Sequence, residues 1–120
     1  MAEDKTLGKH RKIAIPAEGN VLSMHFGKAG VFYIYETENN QVISVHQHQA
    51  PEHYDGVYPL WLKQKEVTDV ISEGIGQKAI DSLLKAGINV FDGAPVKSPD
   101  ELIADLLSGC LQSIGNFCDH

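Results

Sequence analysis

Disulfide chemistry has little to work with here. The 120 residues contain two cysteines, Cys110 and Cys118, too few for a stapled framework. Long apolar runs are missing as well: no uncharged stretch approaches the ~18 apolar residues of a membrane span. The opening Met-Ala-Glu-Asp-Lys-Thr-Leu-Gly-Lys-His-Arg-Lys has no apolar centre of the kind a secretory signal needs. A cytoplasmic protein with reduced thiols and no membrane attachment is therefore expected. Positive charge is scarce too. Ten Lys and Arg stand against sixteen Asp and Glu, a net charge of −6, which argues against a nucleic-acid partner. The few bases crowd the start: residues 1–12 carry four of them and two acids, leaving −8 on the rest. Catalytic signatures are absent, since no G-x-S-x-G elbow, Walker loop or H-E-x-x-H occurs. Repeats and low-complexity tracts are absent.

What remains is an ordinary globular composition, 42% hydrophobic and 22% charged, at a length that suits one domain. The boundaries read as a flexible tail over 1–11, one domain over 12–108, and a glycine- and polar-rich tail over 109–120. Lys12–Pro16 reads as a short buried strand ended by its proline, and Ala17–Gly30 as a long loop. Val31–Glu36 and Gln41–His48, joined by Thr37-Glu38-Asn39-Asn40, predict a β-hairpin. Tyr58–Lys65 predicts a short helix, Val67–Ser72 a strand, Gly76–Ala86 an amphipathic helix closed by Gly87, and Ile88–Phe91 another strand. Ser98-Pro99-Asp100-Glu101 has the form of a capping box with proline at N1, opening a last helix. This order implies an α/β layered domain with a mixed sheet, the hairpin antiparallel and the later β-α-β units parallel.

Four places carry residues with chemical potential. Gly74-Ile75-Gly76-Gln77-Lys78-Ala79 sits between a strand and a helix and has the outline of a dinucleotide fingerprint, but only 28 residues follow Asp92, too few to build the rest of that site. An anion held at the helix end and a purely structural tight turn both remain open. His25, beside Gly27 in the first long loop, reads either as a metal ligand or as a loop hydrogen-bonding group. His46 and His48 share one face of their strand, with Ile43 and Val45 expected to face the core; solvated histidines are the plain alternative to ligands. His53 lies in the next loop. The terminal Cys118-Asp119-His120 pairs a thiolate with an imidazole, donors suited to zinc, copper or iron–sulfur chemistry. Two ligands do not close a tetrahedral site, so the tail needs the histidines or a partner, or is inert.

Taken together these segments resemble the dinitrogenase iron–molybdenum cofactor biosynthesis family, the small NifX-like and NifB C-terminal-like proteins. The match runs through Ile13-Ala14-Ile15-Pro16, Met24-His25-Phe26-Gly27-Lys28-Ala29, Phe32-Tyr33-Ile34-Tyr35, Pro59-Leu60-Trp61-Leu62, Gly74 to Ile80, Ala86 to Ala94, and Asn116 to His120. Glu73 departs from it, standing where relatives commonly carry a small residue. The resemblance implies a three-layer, ribonuclease-H-like α/β/α domain around a five-stranded mixed sheet whose second strand is antiparallel. It implies carriage of an iron–sulfur or molybdenum–iron–sulfur cluster rather than catalysis, with a protein partner giving or receiving that cluster. His25, His48, His53, Cys118 and His120 become candidate metal ligands, and Gly27, Gly74 and Gly76 candidate backbone donors to an anionic cluster. The alternative is a metal-free interaction or regulatory domain of the same fold.

Overall fold

The computed structural model describes residues 10–23, 30–51 and 57–111, and the backbone of 115–117. In chain order the elements are β1 (His10–Glu18), β2 (Val21–Leu22), β3 (Val31–Glu38), β4 (Gln41–Gln49), α1 (Val57–Gln64), β5 (Asp69–Ile71), α2 (Gln77–Lys85), β6 (Asn89–Asp92), α3 (Pro99–Ser108) and β7 (Gly115–Phe117). The strands form one mixed sheet in the order β4-β3-β1-β5-β6-β7, with β2 beside the tip of β1. β1, β5 and β6 are parallel; β3 is antiparallel to β1, and β4 to β3. The expected order of elements and the antiparallel second main strand are both present. The hairpin turn uses Asn39 and Asn40 at φ 55° and 64°, the left-handed pair whose twist suits a two-residue connection.

The sheet separates two apolar layers because β residues alternate between its faces. On one face Ala14, Phe32, Ile34, Val70 and Val90 pack against Tyr58 and Leu62 of α1 and Ile80 and Leu83 of α2. On the other, Ile13, Ile15, Tyr35 and Ile71 meet Leu102 and Ile103 of α3. The α3 start is fixed as its sequence implies: Ser98 accepts from the Glu101 N–H, and the Glu101 carboxylate accepts from the Ser98 N–H. The Tyr35 hydroxyl donates to Asp100 Oδ1 at 2.5 Å, and burial together with that carboxylate pushes its pKa up.

Several expectations need correction. β1 starts at His10, before the Lys12 expected to open the strand, and runs through Pro16 to Glu18. Pro16 is tolerated because its carbonyl, and hence its nitrogen, points to the β2 edge, where the carbonyl accepts the Ser23 N–H at 2.8 Å; no β3 ladder bond is lost. The stretch read as one long loop contains β2, turned back at Gly19 with φ 65°. The sheet therefore has seven strands, not five: the C-terminal segment adds β7 as an edge antiparallel to β6. Ile43 and Val45 do not face the core. They are 54% and 46% exposed, because β4 is an edge strand, shifted in register by a bulge after Glu36, and α3 packs over the centre of the sheet instead.

Candidate functional site

The parallel strands end at a common rim, and the local hydrogen bonds gather their connections there. Beyond the bond from Ser23 to Pro16, the Ala50 N–H donates to the Gly30 carbonyl at 3.2 Å, and the Ala94 N–H to the Ser72 carbonyl at 3.0 Å. Buried Ser72 also donates through its hydroxyl to Asp92 Oδ1 at 3.3 Å. In open α/β sheets such carboxyl ends are where ligands sit. Gly74 and Gly76 occupy this rim between β5 and α2. Gly76 is the N-cap of α2, in extended conformation, and among the described residues no side chain caps that helix. A Cβ at Gly76 would meet nothing within 4 Å. Among the described residues, then, nothing covers the helix start, which presents its first N–H groups and the positive end of the helix dipole.

His48 lies at the same end of the sheet, opposite Phe32. Its imidazole meets the ring of Trp61 edge-on, centroids 6.2 Å apart, while His46 lies 6.4 Å away along the strand. Trp61 in turn packs on Phe32 at 5.4 Å, so a half-buried histidine is held against the aromatic part of the core. Burial first, and then the positive charges of Lys65, His46 and Lys12, lower the His48 pKa below its ordinary 6.5. At neutral pH the ring is uncharged and presents a nitrogen lone pair, the form in which histidine binds metals.

Of the residues singled out from the sequence, Gly74, Gly76 and His48 are brought to the carboxyl end of the sheet. His25, Gly27 and His53 lie outside the described residues. Cys118 and His120 also lie outside them. The strand that precedes them, β7, runs from Gly115 beside Asp92 to Phe117 beside Val90, which is away from the rim. Among the described residues no three His, Cys, Asp or Glu side chains come together as a metal centre. The described part of the site therefore supplies donors for an anion and one neutral imidazole, not a complete set of metal ligands. Lys12 and Lys65 were not singled out from the sequence. They are 53 residues apart, and the Lys12 ammonium reaches the Lys65 carbonyl at 3.1 Å only because β1 pairs beside β5. No local pattern announces that contact.

Comparison with known proteins agrees with this architecture. An uncharacterised protein of Methanocaldococcus jannaschii, MJ0580, is 33% identical over 109 residues, 87% of this chain and 92% of that protein. The crystal structure of PH0822 superposes with a TM-score of 0.80 at 28% identity, covering 86% of this chain and 94% of the other. The solution structure of a provisionally named NifB protein from Thermotoga gives 0.70 at 27% identity, covering 87% and 93%. Residues 9–109 match the dinitrogenase iron-molybdenum cofactor family, a span that takes in both apolar layers and the glycine turn, and the chain belongs to that family.

Proposed function

We propose that this protein is a non-catalytic, cytoplasmic carrier or scaffold for an iron–sulfur or molybdenum–iron–sulfur cluster, which it takes from or hands to a protein partner. Family membership carries this reading, and the rim of the sheet gives it a chemical footing. Sulfide-bridged clusters are anionic, and the start of α2 behind Gly74 and Gly76, capped by no described side chain, offers N–H groups and a positive dipole end to such a cargo. Gly27 joins them as a further backbone donor. His25, His48 and His53 are the proposed imidazole ligands, His48 being neutral at physiological pH. Cys118 and His120 are proposed to add a thiolate and an imidazole from the terminal segment. The five main strands in the order β4-β3-β1-β5-β6, the second antiparallel, support the ribonuclease-H-like description of the fold.

A metal-free docking domain is the second reading, favoured by the exposed Val42, Ile43 and Val45 of edge strand β4. Metal and acid-labile sulfide analysis of anaerobically purified protein separates the two. Stoichiometric metal with sulfide, lost in His25→Ala and His48→Ala, is the expected result. Protein that retains neither after anaerobic reconstitution and desalting would leave the docking domain standing. Metal without sulfide would replace the cluster by a simple ion site.

A further inference from the structure

Away from the glycine turn, the face of the sheet beside α1 holds an open groove of about 330 Å³ lined by Lys12, Ile34, Glu36, His46, His48 and Lys65. The strand register explains why these side chains meet. Lys12 pairs with Glu36, Ile34 with His46 and Phe32 with His48, so alternate residues of β1, β3 and β4 share one face. Lys65 enters from just beyond α1. The Lys12 ammonium is pinned to the Lys65 carbonyl at 3.1 Å, and the Lys65 ammonium lies 5.7 Å from the centre of the Trp61 ring.

The charge balance of the groove runs against that of the protein. Among the described lining residues the one carboxylate, Glu36, is already engaged: Oε2 meets His10 Nε2 at 2.5 Å and Oε1 accepts from Ser44 at 3.4 Å. Among the described residues neither Lys12 nor Lys65 forms a salt bridge; those present join His10 to Glu36, Arg11 to Asp69 and Lys97 to Asp105. Lys12 faces Glu36 across the β1–β3 ladder and helps to lower that carboxyl's pKa, yet two lysines against one carboxylate leave the described lining net positive in a chain with sixteen acids and a net charge of −6. A divalent cation does not suit this arrangement, because both ammonium groups repel it and the carboxylate is held by His10. An anion suits it: two cations provide the field, and the His46 and His48 rings provide polar hydrogen-bonding edges.

We propose that this groove binds a phosphate dianion, free or as the phosphate of a small monoester, with Lys12 and Lys65 as its charge partners. The volume lies within the ~300–1,000 Å³ of small-molecule sites and exceeds what bare phosphate fills, leaving room for an organic group along Ile34 and the histidine rings. This site does not depend on cluster binding, since neither lysine belongs to the cluster ligands. His48 alone borders both.

Trp61 is the only tryptophan in the chain and touches the groove through His48 and Lys65, so its fluorescence reports occupancy. The experiment titrates the 120-residue chain at pH 7.5 with inorganic phosphate and, separately, with phenyl phosphate, at constant ionic strength set by chloride. Calorimetry provides a second reading. A saturable change is expected with one or both ligands, roughly tenfold weaker in Lys12→Gln and Lys65→Gln, the factor that loss of one charge-assisted contact of ~1.4 kcal/mol gives. Lys12→Arg keeps the charge and retains binding. Phenyl phosphate binding more tightly than phosphate identifies a monoester as the ligand; equal binding identifies the phosphate group alone. The proposal is overturned if neither ligand gives a saturable change, or if both glutamine variants, folded by circular dichroism, bind as the parent does.

Discussion

His48 stands edge-on to Trp61, ring centroids 6.2 Å apart and planes at 79°. The contact turns the single tryptophan into a monitor of the histidine's charge. Burial, then the positive field of Lys65, His46 and Lys12, hold the His48 pKa below 6.5. Trp61 emission is therefore expected to titrate with a midpoint below 6.5 in the parent protein, to move upward in Lys65→Gln, and to lose this transition in His48→Gln. The sign for stability follows from proton binding. Between the lowered native value and the ordinary 6.5, the unfolded chain holds more protons than the folded one, so stability rises with pH through that window and levels off above it. Urea unfolding of parent and His48→Gln between pH 5 and 8 checks this; a parent no more pH-sensitive than the variant would contradict it.

Asp69 closes the opposite, amino-terminal end of the parallel strands. Its side chain is 2% exposed and accepts from Arg11 Nε at 3.1 Å, Thr68 Oγ1 at 2.7 Å and Asn89 Nδ2 at 3.0 Å. Those donors come from β1, from the residue that leads into β5, and from β6, so one carboxylate ties three neighbouring strands. Asp69→Ala removes the acceptor shared by three donors and leaves Arg11 without its counter-charge. It should destabilise by roughly 3–5 kcal/mol, the range for breaking a buried ion pair from one side. Arg11→Ala leaves the two neutral donors in place and should be milder. Equilibrium urea midpoints at unchanged slope are the test.

The N-terminus of α3 allows a smaller prediction. Ser98→Ala deletes one half of the capping box while leaving the packing of Leu102 and Ile103 intact. A loss of about 1 kcal/mol is expected, and Ser98→Asp should retain most of the stability, because aspartate accepts the same N–H and favours the positive end of the helix dipole. A loss as large as that of a core deletion would mean that the cap also positions Asp100 on Tyr35.

The features legible in the sequence were those whose cause is local. Asn39-Asn40 specifies a turn of positive φ, Ser98 to Glu101 specifies a cap, and Ile80 and Leu83 lie at helical spacing; each appears where expected. What was misread depends on neighbours distant in the chain. Pro16 normally ends a strand, and whether it does here depends on which edge its nitrogen faces. Val21–Leu22 and Gly115–Phe117 are too short and too mixed in composition to announce themselves, and become strands only because β1 and β6 offer open edges. In the candidate site, the Gly74–Gly76 turn and the shared face of His46 and His48 could be read from spacing. The Lys12–Lys65 contact and the packing of His48 on Trp61 could not, because tertiary structure creates them.

The alternation of Ile43 and Val45 in β4 gives the sharpest contrast between pattern and position. By sequence both belong in the core; in the fold both are about half exposed, as is Val42. Pattern and position predict different stabilities. A core site loses ~2–5 kcal/mol on Ile→Ala, whereas a surface site changes by about 0.5 kcal/mol or less. Ile43→Ala and Val45→Ala are expected to stay near the lower figure, and Ile71→Ala, fully buried between β1 and β6, near the higher. Thermal and urea denaturation of the three variants side by side make the comparison. Should Ile43→Ala cost as much as Ile71→Ala, the outer face of β4 must be covered in solution.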